Sequence, residues 1–438
     1  MADKRLFRPG GPDDSRATTG GMNRRRFLNT LAVAGTGALL GIQARGGPGR
    51  DELQRNGTQA SMWIYLWDLA DEGYSEVLAR LKDHRLTSLS MATAYHAGRF
   101  LAPHNPKRRV IFLEDGSVYF TPAFESYGRI RPRVNSLVTA GHDLQRVRRE
   151  AERFGLETRS WVVCCHNTPL GTDYPDVTVV NAFGDRMVHS LCPSHPDVRS
   201  YLRALLRDIA GTGVTTIELE ALAFPGFAHG FHHEREGMTL PLSIRFLLGL
   251  CFCPACQRRA ADVRLDLPRI RQYATTTLER YFSSPADPVP SGLDELPAEM
   301  FEPHRLWREK VVASLLEELC AEVAPTGAAL RPMASIDPAA RRFVASDLHA
   351  LTSLAGSVLV LGYTKDGAAL RALLGPEIER LGAGRITVGH QVGLPESGGK
   401  EEFLDRLAAA KELGIISHNF YNYGFIPLER LQWIRQVL

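Results

Sequence analysis

The chain has 438 residues and carries 52 Lys and Arg against 49 Asp and Glu, a formal net charge of +3. Its hydrophobic share of 44% is enough to bury a large core, which excludes an unfolded chain. The near balance of charge leaves no footprint for nucleic acid or anionic membrane, and the length exceeds one ordinary core, so one large domain with insertions or two domains are expected.

The first element is an N-terminal leader. A basic start, NRRRFL at 23–28, is followed by the Ala/Gly-rich run TLAVAGTGALLG and by IQA at 42–44. Charged, weakly apolar and small residues in that order make residues 1–44 a signal peptide. The run is too short for a bilayer span, which takes roughly 20 apolar residues. Arg24 and Arg25 before Phe27 and Leu28 resemble the twin-arginine export signal. The resemblance implies the twin-arginine export machinery as a partner, export in folded form, a periplasmic or extracellular destination and no membrane association after cleavage. Residues 1–44 hold seven of the basic and three of the acidic residues, leaving 45 against 46, so the basic excess belongs to the leader.

A polar linker is expected at 45–60, and strand-like runs then alternate with helical ones. MWIYLW (62–67) precedes a helical SEVLARLKDH, TSLSMATAY (87–95) precedes LQRVRREAERFG, and RSWVVCCH (159–166) precedes DVRSYLRALLRDIAGTG. The last of these helices places Val198, Leu202, Leu205 and Ile209 on one face. VTTIELEAL (214–222), GAALRPMAS (327–335), SVLVLGY (357–363), RITVGHQV (385–392) and GIISHNFYNYG (414–424) complete the strands, with Pro332 expected to interrupt the fifth. Strict β–α alternation through eight units predicts an α/β fold of the (β/α)8 TIM-barrel class over 61–438, with long insertions after strands two and four at 97–137 and 223–303. A doubly wound open sheet is the alternative, and the sequence carries no Gly-rich dinucleotide fingerprint for it. Within the first insertion VIFLEDGSVYF predicts a hairpin turning on Asp115-Gly116. Both insertions follow strands, which puts them at the barrel's C-terminal face, where such enzymes keep their active sites.

The second insertion contains LCFCPACQRR, with Cys251, Cys253 and Cys256 within six residues of a chain that has only seven cysteines. Cys-x-Cys-x-x-Cys offers three thiolates to one metal, and structural zinc takes four ligands in a tetrahedron. Cys192, in LCPSHPDV on the loop-bearing face, is the natural fourth. Buried apolar cysteines or disulfide partners are the alternative. Cys164, Cys165 and Cys320 read as packing residues. One cysteine before a P-x-x-x-x-Y helix, then a strand ending in Glu, then Cys-x-Cys-x-x-Cys resembles the family 42 glycoside hydrolases of β-galactosidase type. The resemblance spans about 190–256 and implies that Cys192, Cys251, Cys253 and Cys256 hold a zinc beside the active site.

Strand four, TIELEALAF, puts Glu218 and Glu220 on one face, pointing into the barrel, and buried carboxyls with raised pKa values suit acid catalysis. The resemblance places the general acid at Glu220, although the family carries Asn immediately before it and this chain has Leu219. The family's nucleophile closes strand seven. Here TVGHQVGLPE offers His390 and Gln391, and its first acid is Glu396 in the following loop. Glu396 acting from the loop, Glu218 and Glu220 acting together, or no hydrolysis at all remain open.

The other expected strand ends supply a sugar-binding lining: Trp67 and Asp68, Tyr95 and His96, His166 and Asn167, Tyr363, and Tyr421, Asn422 and Tyr423. Aromatic faces suit the apolar sides of sugar rings, and the polar groups suit hydroxyls. HGFHHE (229–234) lacks the spacing of a helical zinc motif and reads as a polar loop, and NPKRR (105–109) reads as a solvated turn. The sequence thus predicts an exported glycosidase with a structural zinc and a carbohydrate substrate, with assembly into a homo-oligomer open. A glycan-binding barrel that cleaves nothing is the alternative, and a histidine-dependent metallohydrolase is a third reading.

Overall fold

The computed structural model describes residues 57–227, 234–392 and 399–438. The leader and most of the linker, the histidines of HGFHHE, and Glu396 lie outside the described residues.

Eight parallel strands form a closed barrel: β1 (Gln59–Ile64), β2 (Ser88–Tyr95), β3 (Glu157–Val163), β4 (Thr216–Glu220), β5 (Ala329–Ser335), β6 (Val358–Leu361), β7 (Ile386–Gln391) and β8 (Ser417–Tyr421). Each strand pairs with the next, and β1 closes the ring by pairing with both β2 and β8, with Trp63 opposite Ser90 and Met62 opposite Phe420. The fold is therefore the α/β barrel that the alternation predicts. Its strands are buried on both faces, because the inner face fills the barrel and the outer face meets helices.

The helix Pro196–Gly211 buries Val198, Leu202, Leu205 and Ile209 completely, as its periodicity requires. Pro332 does not interrupt β5. Its register with β4 ends at the Leu219–Pro332 pair and its register with β6 starts at Met333, so the residue without an N–H stands where the strand changes partners.

The first insertion differs from expectation. The antiparallel hairpin pairs Arg99–Leu101 with Val110–Phe112 and turns through 102–109, not at Asp115-Gly116. Val110–Phe112 finds its partner upstream, and Ser117 and Val118 instead pair antiparallel with Tyr95 and Ala94 at the end of β2. The Asp115 carboxylate accepts the Ala97 N–H at 2.7 Å and ties the two ends of the hairpin segment together. Gly116 takes φ +62, and a Cβ there would lie 2.4 Å from Asn167 Oδ1, so turn and contact both require glycine.

The second insertion is mostly helical, with Leu242–Leu248, Pro254–Asp262 and Leu267–Ser283 leading into the long helix Ala298–Val323. No helix among the described residues is long and apolar enough to cross a membrane.

Candidate active site and cysteine centre

Glu218 and Glu220 share the inward face of β4 but meet different surroundings. Glu218 is fully buried inside the barrel. Its Oε2 accepts from Trp63 Nε1 at 2.9 Å and Ser90 Oγ at 2.7 Å, and Asn419 Nδ2 donates to both oxygens at 3.0 Å. Arg331 Nη1 stands 3.9 Å from Oε1. Four strands thus deliver partners to one carboxylate, which satisfies the rule that a buried charge be paired. The Trp63 indole fits because β7 has Gly389 beside it, where a Cβ would lie 2.9 Å from the ring. Glu218 therefore belongs to the barrel interior, below the mouth, and is not free to face a ligand.

Glu220, two residues on, is the last residue of β4 and only partly buried. Its Oε2 accepts the Trp161 indole N–H at 2.6 Å. Burial pushes its carboxyl above the usual range, opposed by His96 and by the Trp161 donor. The next residue, Ala221, takes φ 52, a left-handed conformation uncommon for a side chain with a Cβ, and the chain leaves the barrel there.

An aromatic wall surrounds Glu220. The Trp161 ring lies 4.8 Å from Tyr95, 5.7 Å from Tyr65 and 6.0 Å from Tyr421. Glu220 stands close enough to Tyr95, Tyr363 and Tyr421 to raise each phenol, burial being the larger cause in every case, and Tyr421 is pushed up to about 12. Tyr363 keeps 37% of its surface exposed, the open part of the wall. His96 stacks between Tyr95 at 4.3 Å and His166 at 4.6 Å. Tyr95, His96, His166, Tyr363 and Tyr421 are therefore brought together around Glu220.

The remaining nominated residues lie elsewhere. β1 stops at Ile64, so Trp67 and Asp68 fall in the short helix Leu66–Glu72. Asp68 is buried, accepts the Tyr65 N–H at 3.0 Å, and has its carboxyl pushed up to about 8 by burial. Trp67 is buried behind the wall, stacked on Tyr65 at 4.3 Å, and does not face the mouth. Asn167 is a helix cap, accepting from Leu170 N at 2.9 Å, and Asn422 accepts from Gly424 N at 3.0 Å. Tyr423 is buried outside the lining and donates to Glu72 at 2.8 Å. His390 is buried in β7, 3.1 Å from His418.

Three site residues were not anticipated. Trp161 is the donor to Glu220, and its inward parity in RSWVV is the signal that could have found it. Tyr65 belongs to the same wall. Phe100, on the hairpin, packs 5.3 Å from Tyr65 and 4.6 Å from Phe425 and so covers part of the wall.

The four cysteines converge as their spacing requires. Cys192 Sγ lies 3.5, 3.6 and 3.8 Å from the sulfurs of Cys256, Cys253 and Cys251, all four buried. A disulfide holds sulfurs about 2.05 Å apart, and all seven cysteines are free. A tetrahedral centre with metal–sulfur bonds of about 2.3 Å has sulfur–sulfur edges of about 3.8 Å, so the set fits one metal ion. Cys253 caps the helix Pro254–Asp262, and the Cys256 N–H donates to its sulfur at 3.4 Å. The buried Arg308 guanidinium, held over Phe224 and Phe246, supplies positive charge beside Cys251 and Cys256. A second candidate group, Asp176, His195 and Asp197, is already bridged by Arg129, 2.6 and 2.7 Å from the two carboxylates.

No protein-family model and no curated protein matches the sequence. Solved structures do. The glycoside hydrolase domain of PgaB (BpsB) from Bordetella bronchiseptica superposes with a TM-score of 0.58 at 14% identity, over 87% of this chain and 98% of that one. A β-galactosidase from the psychrophilic Marinomonas ef1 gives 0.52 at 9% identity, over 86% of this chain and 58% of that one. At these identities the likeness shows a shared barrel fold.

Proposed function

We propose that this chain is an exported glycoside hydrolase that cleaves a glycosidic bond with Glu220 as general acid. The observation that carries the reading is Glu220 itself: a partly buried carboxyl, raised by burial, at the C-terminal end of β4 inside an aromatic wall. A carboxyl whose pKa is raised by burial is better suited to give its proton to the leaving oxygen, as glycosidase acids do. Tyr363 and Tyr421, the exposed and half-buried members of the wall, offer apolar faces to sugar rings with Trp161 and Tyr95 buried behind them, and His96 and His166 offer hydrogen bonds to hydroxyls. The glycosidase barrels among the similar structures support the reading at the level of fold.

Cys192, Cys251, Cys253 and Cys256 would hold a structural zinc in this reading. Four thiolates leave it no open position, so it supplies folding energy to the second insertion and takes no part in the chemistry. The twin-arginine leader would export the barrel with that metal in place, to the periplasm or beyond.

A glycan-binding barrel without hydrolysis is the second reading. Glu218 has both oxygens engaged by Trp63, Ser90 and Asn419, and the described end of β7 presents Gln391 where the resembled family has a carboxylate. Comparing cleavage and binding by the protein and its Glu220→Gln variant decides between the two.

A further inference from the structure

The hairpin of the first insertion has two unlike faces. Phe100 and Ile111 pair in register and turn inward, Phe100 onto the aromatic wall and Ile111 into the core. Side chains alternate across a strand, so the positions between them turn outward. There Leu101 is 67% exposed, Val110 47% and Phe112 74%, with Leu101 opposite Val110 and Phe112 opposite Arg99. Three large apolar side chains exposed together on a two-stranded ribbon mark an interaction surface rather than a scattered remainder.

The charge around this face is predominantly positive. Residues 97–113 contain Arg99, Lys107, Arg108 and Arg109 and neither Asp nor Glu, while Glu114 and Asp115, next in the chain, accept from the Ser136 and Ala97 N–H groups. Asp71, on the neighbouring helix, pairs with both Lys107 at 3.5 Å and Arg108 at 2.8 Å, one carboxylate against two cations. Arg109 donates to the carbonyl oxygens of Pro103 and Asn105, contacts that leave its charge uncompensated. Phe112 presents one ring, and Leu101 and Val110 beside it are aliphatic and add no flat face for a sugar to stack on. Aliphatic and phenyl groups beside Lys and Arg instead match the boundary between acyl chains and anionic headgroups.

We propose that this hairpin face docks the barrel onto an anionic lipid surface, a local contact that departs from the expectation of no membrane association drawn from the leader and the overall charge. Leu101, Val110 and Phe112 enter the headgroup–acyl boundary, and Arg99, Lys107, Arg108 and Arg109 lie among the lipid phosphates. Because Phe100 on the opposite face packs against the aromatic wall, docking holds the barrel mouth beside the membrane. The proposal stands apart from the glycosidase reading, since it needs only the hairpin.

Hydrogen exchange on the full chain, with and without vesicles, tests it at the segment itself and independently of the leader. Phosphatidylcholine vesicles containing phosphatidylglycerol should slow exchange across 99–112, and pure phosphatidylcholine should do so much less. In the Leu101→Ser/Phe112→Ser variant the concentration of vesicles needed for half-protection of the hairpin should rise about tenfold, with the melting temperature unchanged because both positions are exposed. Unchanged exchange at 99–112 on anionic vesicles would overturn the proposal. So would equal protection on neutral vesicles, or protection that follows protein concentration without lipid, which would assign the face to a second copy of the chain.

Discussion

The Trp161 indole N–H donates to Glu220 Oε2 at 2.6 Å, from one barrel strand to its neighbour. Such a bond stabilises the carboxylate more than the acid, so it holds the Glu220 carboxyl lower than burial alone would. Trp161→Phe keeps the ring and deletes the donor. Its Glu220 should titrate higher. A general acid works while protonated, so the alkaline limb of the kcat/KM profile should move to higher pH. Rate profiles of the two proteins on one cleaved oligosaccharide check this; an unmoved limb means that Glu220 is not the group being titrated.

Glu218→Gln should be a stability variant. It sets an amide among the Trp63, Ser90 and Asn419 donors and leaves the buried Arg331 without its nearest carboxylate, at a cost of about 3 kcal/mol. Denaturant unfolding should show that loss, whereas Glu220→Gln should unfold as the parent does. Equal stability of parent and Glu218→Gln would contradict the internal role assigned to Glu218.

Metal analysis of protein purified without added zinc should give one zinc per chain, and Cys253→Ser should lower it. The melting temperature should fall by about 5 °C or more, because a structural metal's binding energy is folding energy. A chelator that unfolds the protein and one that only slows it are distinguishable by circular dichroism. Loss of activity with the fold intact would favour metal-dependent chemistry over a staple.

The buried His390–His418 pair predicts acid sensitivity. Burial, helped by Lys411, lowers His418 from the usual 6.5 to about 4, and His390 lies well below its ordinary value as well. Both are neutral in the folded protein, while an unfolded histidine takes up a proton from about pH 6.5 downward. Their contribution is therefore complete above pH 6.5 and lost as pH falls towards 4, on the order of 3 kcal/mol for His418. His418→Asn should flatten the stability curve between those limits, measured by urea unfolding at a series of pH values.

The barrel was legible because strand and helix periods alternate through the whole chain, and the cysteine cluster because three of its thiols sit within six residues and Cys192 lies just upstream of the helix Pro196–Gly211. Glu220 was legible from the two-residue period of TIELE. What periodicity could not show was where each strand stops. An aromatic–polar pair after a strand looks alike whether it lines a mouth, as Tyr95 and His96 do, or begins a buried helix, as Trp67 and Asp68 do. Nor could it show that Glu218 is locked, because Trp63, Ser90, Arg331 and Asn419 come from strands scattered over the sequence. The hairpin was misplaced for the same reason: Asp115-Gly116 has turn chemistry, but the partner of Val110–Phe112 lies upstream at Arg99–Leu101.

The measurement that tests the central claim most directly sets the protein and its Glu220→Gln variant against one oligosaccharide library, with products read by mass spectrometry and binding followed in parallel. The account predicts shorter oligosaccharides from the parent, a loss of at least about a hundredfold in the variant and binding retained by both. Binding by both with no product from either would contradict the hydrolase reading and leave a glycan-binding barrel.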